Sequence, residues 1–185
     1  MSSDTLHRVI ELMNEELHDL PSLASRLANL VAILSTEDDL KPLLLKKGAQ
    51  NACLALYHEV SNLSIQERLL LALRNMSDRQ RNDNCDIHIQ LGVAILGSTG
   101  TDMKNLQIAA AGMLCNLTAN FLNNKKSFLS AAGNSGMKNA TALAVRVLKS
   151  NLADDDVRLA IPLLVTGLIL STIGGWRVSP TFNES

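Results

Sequence analysis

The segment Leu73-Arg74-Asn75-Met76-Ser77 returns 41 residues later as Leu114-Cys115-Asn116-Leu117-Thr118. No other feature of the 185 residues constrains the fold as tightly. An interval of about 40 residues between like apolar segments marks an array of small supersecondary units. A unit of this kind cannot bury its apolar face alone, so neighbours stack into one continuous core. The stack carries a surface along its length, and an asparagine fixed at one place in successive units sets a ladder of amides on it. A surface of that kind holds other proteins.

Apolar residues make up 46% of the chain and aromatics only 3%, which leaves Leu, Ile, Val, Ala and Met to build the core. That mixture favours long helices, and four prolines interrupt them little. The length suffices for one domain with a sizeable core. A net charge of −1 supplies no overall field toward nucleic acid or an anionic membrane, so electrostatic recognition must be local. Cys53, Cys85 and Cys115 are too few and too scattered for a disulfide framework. Ser2-Ser3-Asp4 after Met1 has none of the regions of a signal peptide, and the expected location is cytoplasmic, with the nucleus and cell junctions also open. On that reading the Asn-x-Ser/Thr triplets at Asn62, Asn75, Asn116 and Asn139 are fortuitous. Leu159 to Ile173 is apolar but shorter than the ~20 residues of a membrane span, and it contains Pro162 and Gly167, so it reads as a buried helix.

Spacings of 3, 4 and 7 between apolar residues predict helices over Thr5 to Glu16, Pro21 to Ser35, Leu40 to Lys47, Gln50 to Val60 and Ile65 to Asp78. Gly48 is placed to end the third. Arg79 to Cys85 is too polar for a helix and reads as a loop standing in for one. Ile87 to Leu96, Met103 to Asn120 and Phe121 to Ala132 follow, then a break at Gly133 to Gly136. Met137 to Lys149 and Asp155 to Ser171 complete the pattern. The order short, middle, long matches armadillo repeats better than the helix pairs of other solenoids. The expected fold is all-α, an armadillo-repeat right-handed superhelical solenoid of about three to four three-helix repeats. Its expected divisions are a partial repeat 1–37, repeats 38–78 and 79–120, a stretched repeat 121–173 and a flexible tail 174–185.

Leu70-Leu71-Ala72-Leu73-Arg74-Asn75-Met76-Ser77-Asp78 resembles the long-helix ending of a middle repeat in the β-catenin family. Ala110 to Asn120, followed by Asn124-Lys125, resembles the next repeat of that family, and Leu40-Lys41-Pro42 fits the start of the one before. The resemblance covers about residues 20 to 135. It implies an adaptor that binds extended acidic tails along a groove: cadherin cytoplasmic tails, T-cell-factor-type transcription factors and destruction-complex scaffolds. It also implies roles in cell adhesion or Wnt signalling, with Arg74, Asn75, Asn116, Asn120 and Lys125 as the peptide-binding residues. The chain departs from the family pattern at Leu71, where an aromatic is expected, and at Thr166-Gly167, where an Arg-His pair is expected. Ile33 occupies the asparagine position of the first repeat, so the ladder has two rungs.

The residue chemistry stands on its own. A strand entering a groove loses water from its backbone groups, which must be satisfied there. An asparagine amide, with one acceptor and two donors, can meet both groups of a peptide unit. Arg74 can fork onto a carboxylate, and Lys125 can act as a point charge. Without the tryptophans of nuclear-import adaptors at Leu71 and Gly112, basic peptides are not the expected ligand. Catalysis is not expected either. His7, His18, His58 and His88 share no spacing, Cys85 and His88 lack a second pair for zinc, and no phosphate loop occurs. No cofactor, direct nucleic-acid contact or membrane insertion is expected. The alternative is a truncated or degenerate armadillo module with a structural or regulatory role.

Overall fold

A computed structural model describes residues 3–15, 17, 19–80, 84–98, 101–119 and 121–134. Among the described residues every regular element is helical: α1 Ser3–Met13, α2 Pro21–Leu34, α3 Lys41–Lys46, α4 Ala49–Glu59, α5 Leu63–Ser77, α6 Asp86–Gly97, α7 Lys104–Ala119 and α8 Leu122–Asn134, with a 3₁₀ turn Thr101–Met103 before α7. The fold is an armadillo-like helical solenoid, as expected. The helices predicted over Met137 to Lys149 and Asp155 to Ser171, the Thr166-Gly167 position and the tail 174–185 lie outside the described residues. Gly133, expected to open a break, is still helical.

Local chemistry sets the element ends. Pro21 opens α2, where its missing N–H would have no helical partner anyway. Gly48, at φ +81°, turns the chain between α3 and α4 in the left-handed region that other residues adopt at a cost. The Asn62 side chain caps α5, its oxygen accepting from Ile65 N–H at 3.2 Å. One residue type then ties the middle helices to the long ones. Gln66 donates to the carbonyls of Val60 at 2.9 Å and Tyr57 at 3.3 Å, beyond and within the end of α4. Gln107, 41 residues on, donates to Ser98 at 3.0 Å, just past α6.

The long helices α2, α5 and α7 lie side by side, with α4 and α6 packed behind them and α8 against α6. Because α7 is enclosed by α5, α6 and α8, its buried residues run almost all round it, from Leu106 to Leu114 and on to Leu117 and Thr118. At Gly92 the backbone of α6 closes on α7: an added Cβ would sit 2.8 Å from Leu114 Cγ.

Two features predict loss of stability in acid. Lys41 is buried between Asp78 and Asp38, at 2.8 Å from each, and Arg79 reaches Asp38 at 3.4 Å. The Lys41 hydrogen bond, with the charges of Lys41 and Arg79, holds the Asp38 carboxyl below its ordinary 3.8. Its contribution is complete above 3.8 and is lost as pH falls through the depressed folded value. His88 is buried, its Nε2 has no hydrogen-bond partner among the described residues, and burial lowers its pKa from 6.5. The unfolded chain therefore takes up that proton first, and stability falls as pH drops through 6.5. Urea midpoints measured against pH should fall in two stages. His88→Gln should remove the upper stage and Asp38→Asn the lower one.

Candidate functional site

The open face of the three long helices is a stripe at helical spacing. It consists of Arg26, Asn29 and Ile33 on α2, Glu67, Arg68, Leu71, Arg74 and Asn75 on α5, and Asn105 and Asn116 on α7. Ile33 is 65% exposed, so the first unit presents an apolar side chain where the next two present amides. A cleft of about 330 Å³ opens between α5 and α7, lined by Glu67, Arg68, Leu71, Arg74, Asn105, Ile108 and Ala109. Leu71, in place of the aromatic that the family resemblance implies, makes part of its floor.

Arg74 is half-buried in this cleft, and its side chain lies across α7 at Gly112. A Cβ at residue 112 would fall 2.5 Å from Arg74 Nε, so glycine there admits the guanidinium. Among the described residues no carboxylate forms an ion pair with Arg74. A half-desolvated cation without a protein counter-ion is a ready site for an external carboxylate.

Asn75 and Asn116 both stand on this wall, half-buried, one unit apart. Each also reaches back to the preceding unit. Asn75 Nδ2 donates to Ser35 Oγ at 3.1 Å, and Asn116 Nδ2 donates to Ser77 Oγ at 2.9 Å and to the Arg74 carbonyl at 3.3 Å. Ser35 and Ser77 are buried at helix ends and donate in turn to the carbonyls of Ala32 and Arg74. Thr118 holds the equivalent place in the third unit and donates to Leu114 at 2.7 Å. The Asn-x-Ser triplet at Asn75, read from sequence as fortuitous, is thus a head-to-tail connector: Asn75 bonds backward to Ser35, and Ser77 receives Asn116 of the next unit. Sequence reasoning missed Ser35 and Ser77, although Ser35, Ser77 and Thr118 follow the same 42- and 41-residue intervals as the asparagine positions.

The remaining predicted residues are placed differently. Lys125 lies in the first turn of α8, half-exposed and outside the Arg74 cleft. Asn120 lies outside the described residues. Asn124, beside Lys125, is completely buried: its Oδ1 accepts from Cys85 N–H at 3.1 Å and its Nδ2 donates to the Leu117 carbonyl at 2.9 Å. It joins the start of α6 to the end of α7.

No group of three His, Cys, Asp or Glu side chains among the described residues is placed to hold a metal. Burial pushes the Cys53 thiol up to about 12, which keeps it protonated and inert near neutral pH. No described helix is long and apolar enough to cross a membrane.

No protein-family model matches the chain, and no curated protein does. Among solved structures it matches, with a TM-score of 0.75 and 22% identity, a chain from a structure described as "A conserved phosphorylation switch controls the interaction between cadherin and beta-catenin in vitro and in vivo". The match covers 90% of this chain and 29% of that one. The likeness is one of fold. At that identity the wall of long helices is shared architecture, and the side chains on it must speak for this protein.

Proposed function

We propose that the chain is a non-enzymatic, β-catenin-like adaptor that binds extended acidic peptide tails along the wall of α2, α5 and α7. The ligands it fits are cadherin cytoplasmic tails and T-cell-factor-type transcription factors, with destruction-complex scaffolds as further partners, in cell adhesion, Wnt signalling or both. It works in the cytoplasm, the nucleus or at cell junctions, without a cofactor, nucleic-acid contact or membrane insertion. The observation that carries this reading is the Arg74 guanidinium, half-buried in a cleft beside amide groups and without a carboxylate partner among the described residues. The cadherin and beta-catenin description of the structural neighbour adds support. This chain matches 29% of the neighbour's length, and binding that engages many repeat units gains by multivalency.

A second reading, a structural or regulatory armadillo module with little groove binding, is favoured by one observation. The amide nitrogens of Asn75 and Asn116 already bond the preceding unit. Titration calorimetry with a cadherin-tail peptide and a T-cell-factor peptide, side by side, separates the two. The adaptor reading expects both to bind the wild type and Lys125→Glu to weaken them about tenfold, the effect of removing one charged contact. Binding by neither protein would favour the structural reading.

A further inference from the structure

We infer that the cleft between α5 and α7 is bipolar: it selects a peptide with a basic side chain next to the carboxylate that Arg74 takes, and Glu67 is the residue that reads that base. This rests on the groove reading above and adds a specificity-determining residue to it.

Glu67 and Arg74 stand seven residues apart on one face of α5, about 10 Å along the helix axis. Leu71 lies between them and, with Ile108 and Ala109 of α7, makes an apolar floor. At that separation the two charges cannot pair with each other, since an ion pair needs its atoms within about 4 Å. Glu67 is half-buried, and Asn105 Nδ2 donates to its Oε1 at 3.4 Å. No cation among the described residues forms an ion pair with it. Arg68 lines the rim, but adjacent residues on a helix do not face each other, and Arg68 is exposed to water. Beyond Asn105 the cleft runs on into a hollow that shares Glu67, where Asp102 and Lys104 bring one charge of each sign. The sign at this end is therefore set by Glu67, as the sign at the other is set by Arg74. Each is shielded from water on one side and screened less than a surface charge.

A strand running along the wall crosses α5, and its successive side chains project to opposite sides. One points along α5 toward Arg74 and the next toward Glu67. An acidic residue with a basic neighbour meets both charges. A run of acids meets Arg74 well but sets a second carboxylate against Glu67, and an apolar neighbour covers Glu67 without pairing it. The ligand selected is acidic overall, with a base at one fixed place.

The test uses the whole chain and the cadherin-tail peptide of the calorimetry above. Coupling to Arg74→Ala identifies the peptide carboxylate that Arg74 takes, and each neighbour of that residue is then replaced by lysine and by glutamate. At one neighbour, lysine should tighten binding to the wild type about fivefold and glutamate should weaken it about as much. On Glu67→Gln, which keeps the oxygen facing Asn105 and loses the charge, both effects should vanish. On Glu67→Lys they should change sign, and the gain with the glutamate peptide shows that this variant is folded. Lysine and glutamate peptides that bind the wild type alike, or a lysine gain that persists on Glu67→Gln, overturn the inference and spare the groove reading. So does a parent peptide that binds with no carboxylate coupled to Arg74. A parent peptide that does not bind removes the groove reading and the inference with it.

Discussion

Asn124→Ala should cost about 3 kcal/mol of folding stability, read as a lower urea midpoint with an unchanged slope. The side chain is fully buried and serves two backbone groups that no nearby helix can serve. Leu117 lies within the last four residues of α7, whose carbonyls have no partner inside the helix. Cys85 stands just before α6, and its N–H donates to the Asn124 side-chain oxygen at 3.1 Å. Alanine removes the donor and the acceptor together and leaves a cavity, and each lost buried bond costs about 1–3 kcal/mol. Asn124→Asp keeps the acceptor but loses the donor to Leu117 and buries a charge. It should be at least as damaging at neutral pH and partly relieved in acid, when the protonated carboxyl can donate again. A loss below about 0.5 kcal/mol for Asn124→Ala would show that α6 and α7 are held together by apolar packing alone.

Arg74→Glu should have the largest effect on binding. Against an acidic tail peptide, removing the cation by alanine should cost about 2 kcal/mol, or roughly thirtyfold in Kd, and the reversed charge should cost more. Stability should change by no more than about 0.5 kcal/mol, because among the described residues the guanidinium has no ion-pair partner to lose. The residue's structural work is done by its carbonyl, which accepts from Ser77 and Asn116 and survives the substitution. Gly112→Ala offers an independent check. Its Cβ would meet Arg74 Nε and Cδ, the outer part of a flexible side chain, so the guanidinium would be displaced while α7 gains helix propensity. Weaker peptide binding with equal or higher stability is the expected signature. Unchanged affinity in both variants would exclude this cleft as the place where a carboxylate docks.

The sequence alone determined the solenoid. A repeated phrase at a fixed interval and a core of Leu, Ile, Val, Ala and Met leave stacked helices as the way to bury the apolar faces, and Gly48 and Pro21 mark helix ends through local backbone chemistry. It also determined that Asn75 and Asn116 occupy equivalent positions on successive long helices. What those amides bond was decided only by the tertiary structure. Ser35 meets Asn75 and Ser77 meets Asn116 across 40 and 39 residues of chain, and nothing local distinguishes a serine that receives such a bond from one that faces water. The same holds for Asn124, which looks like one polar residue in a polar run until Cys85 and Leu117 are brought to either end of its amide. Periodicity reports which face of a helix is buried. The hydrogen-bond partners of a half-buried polar group depend on how closely, and in what register, the next helix packs.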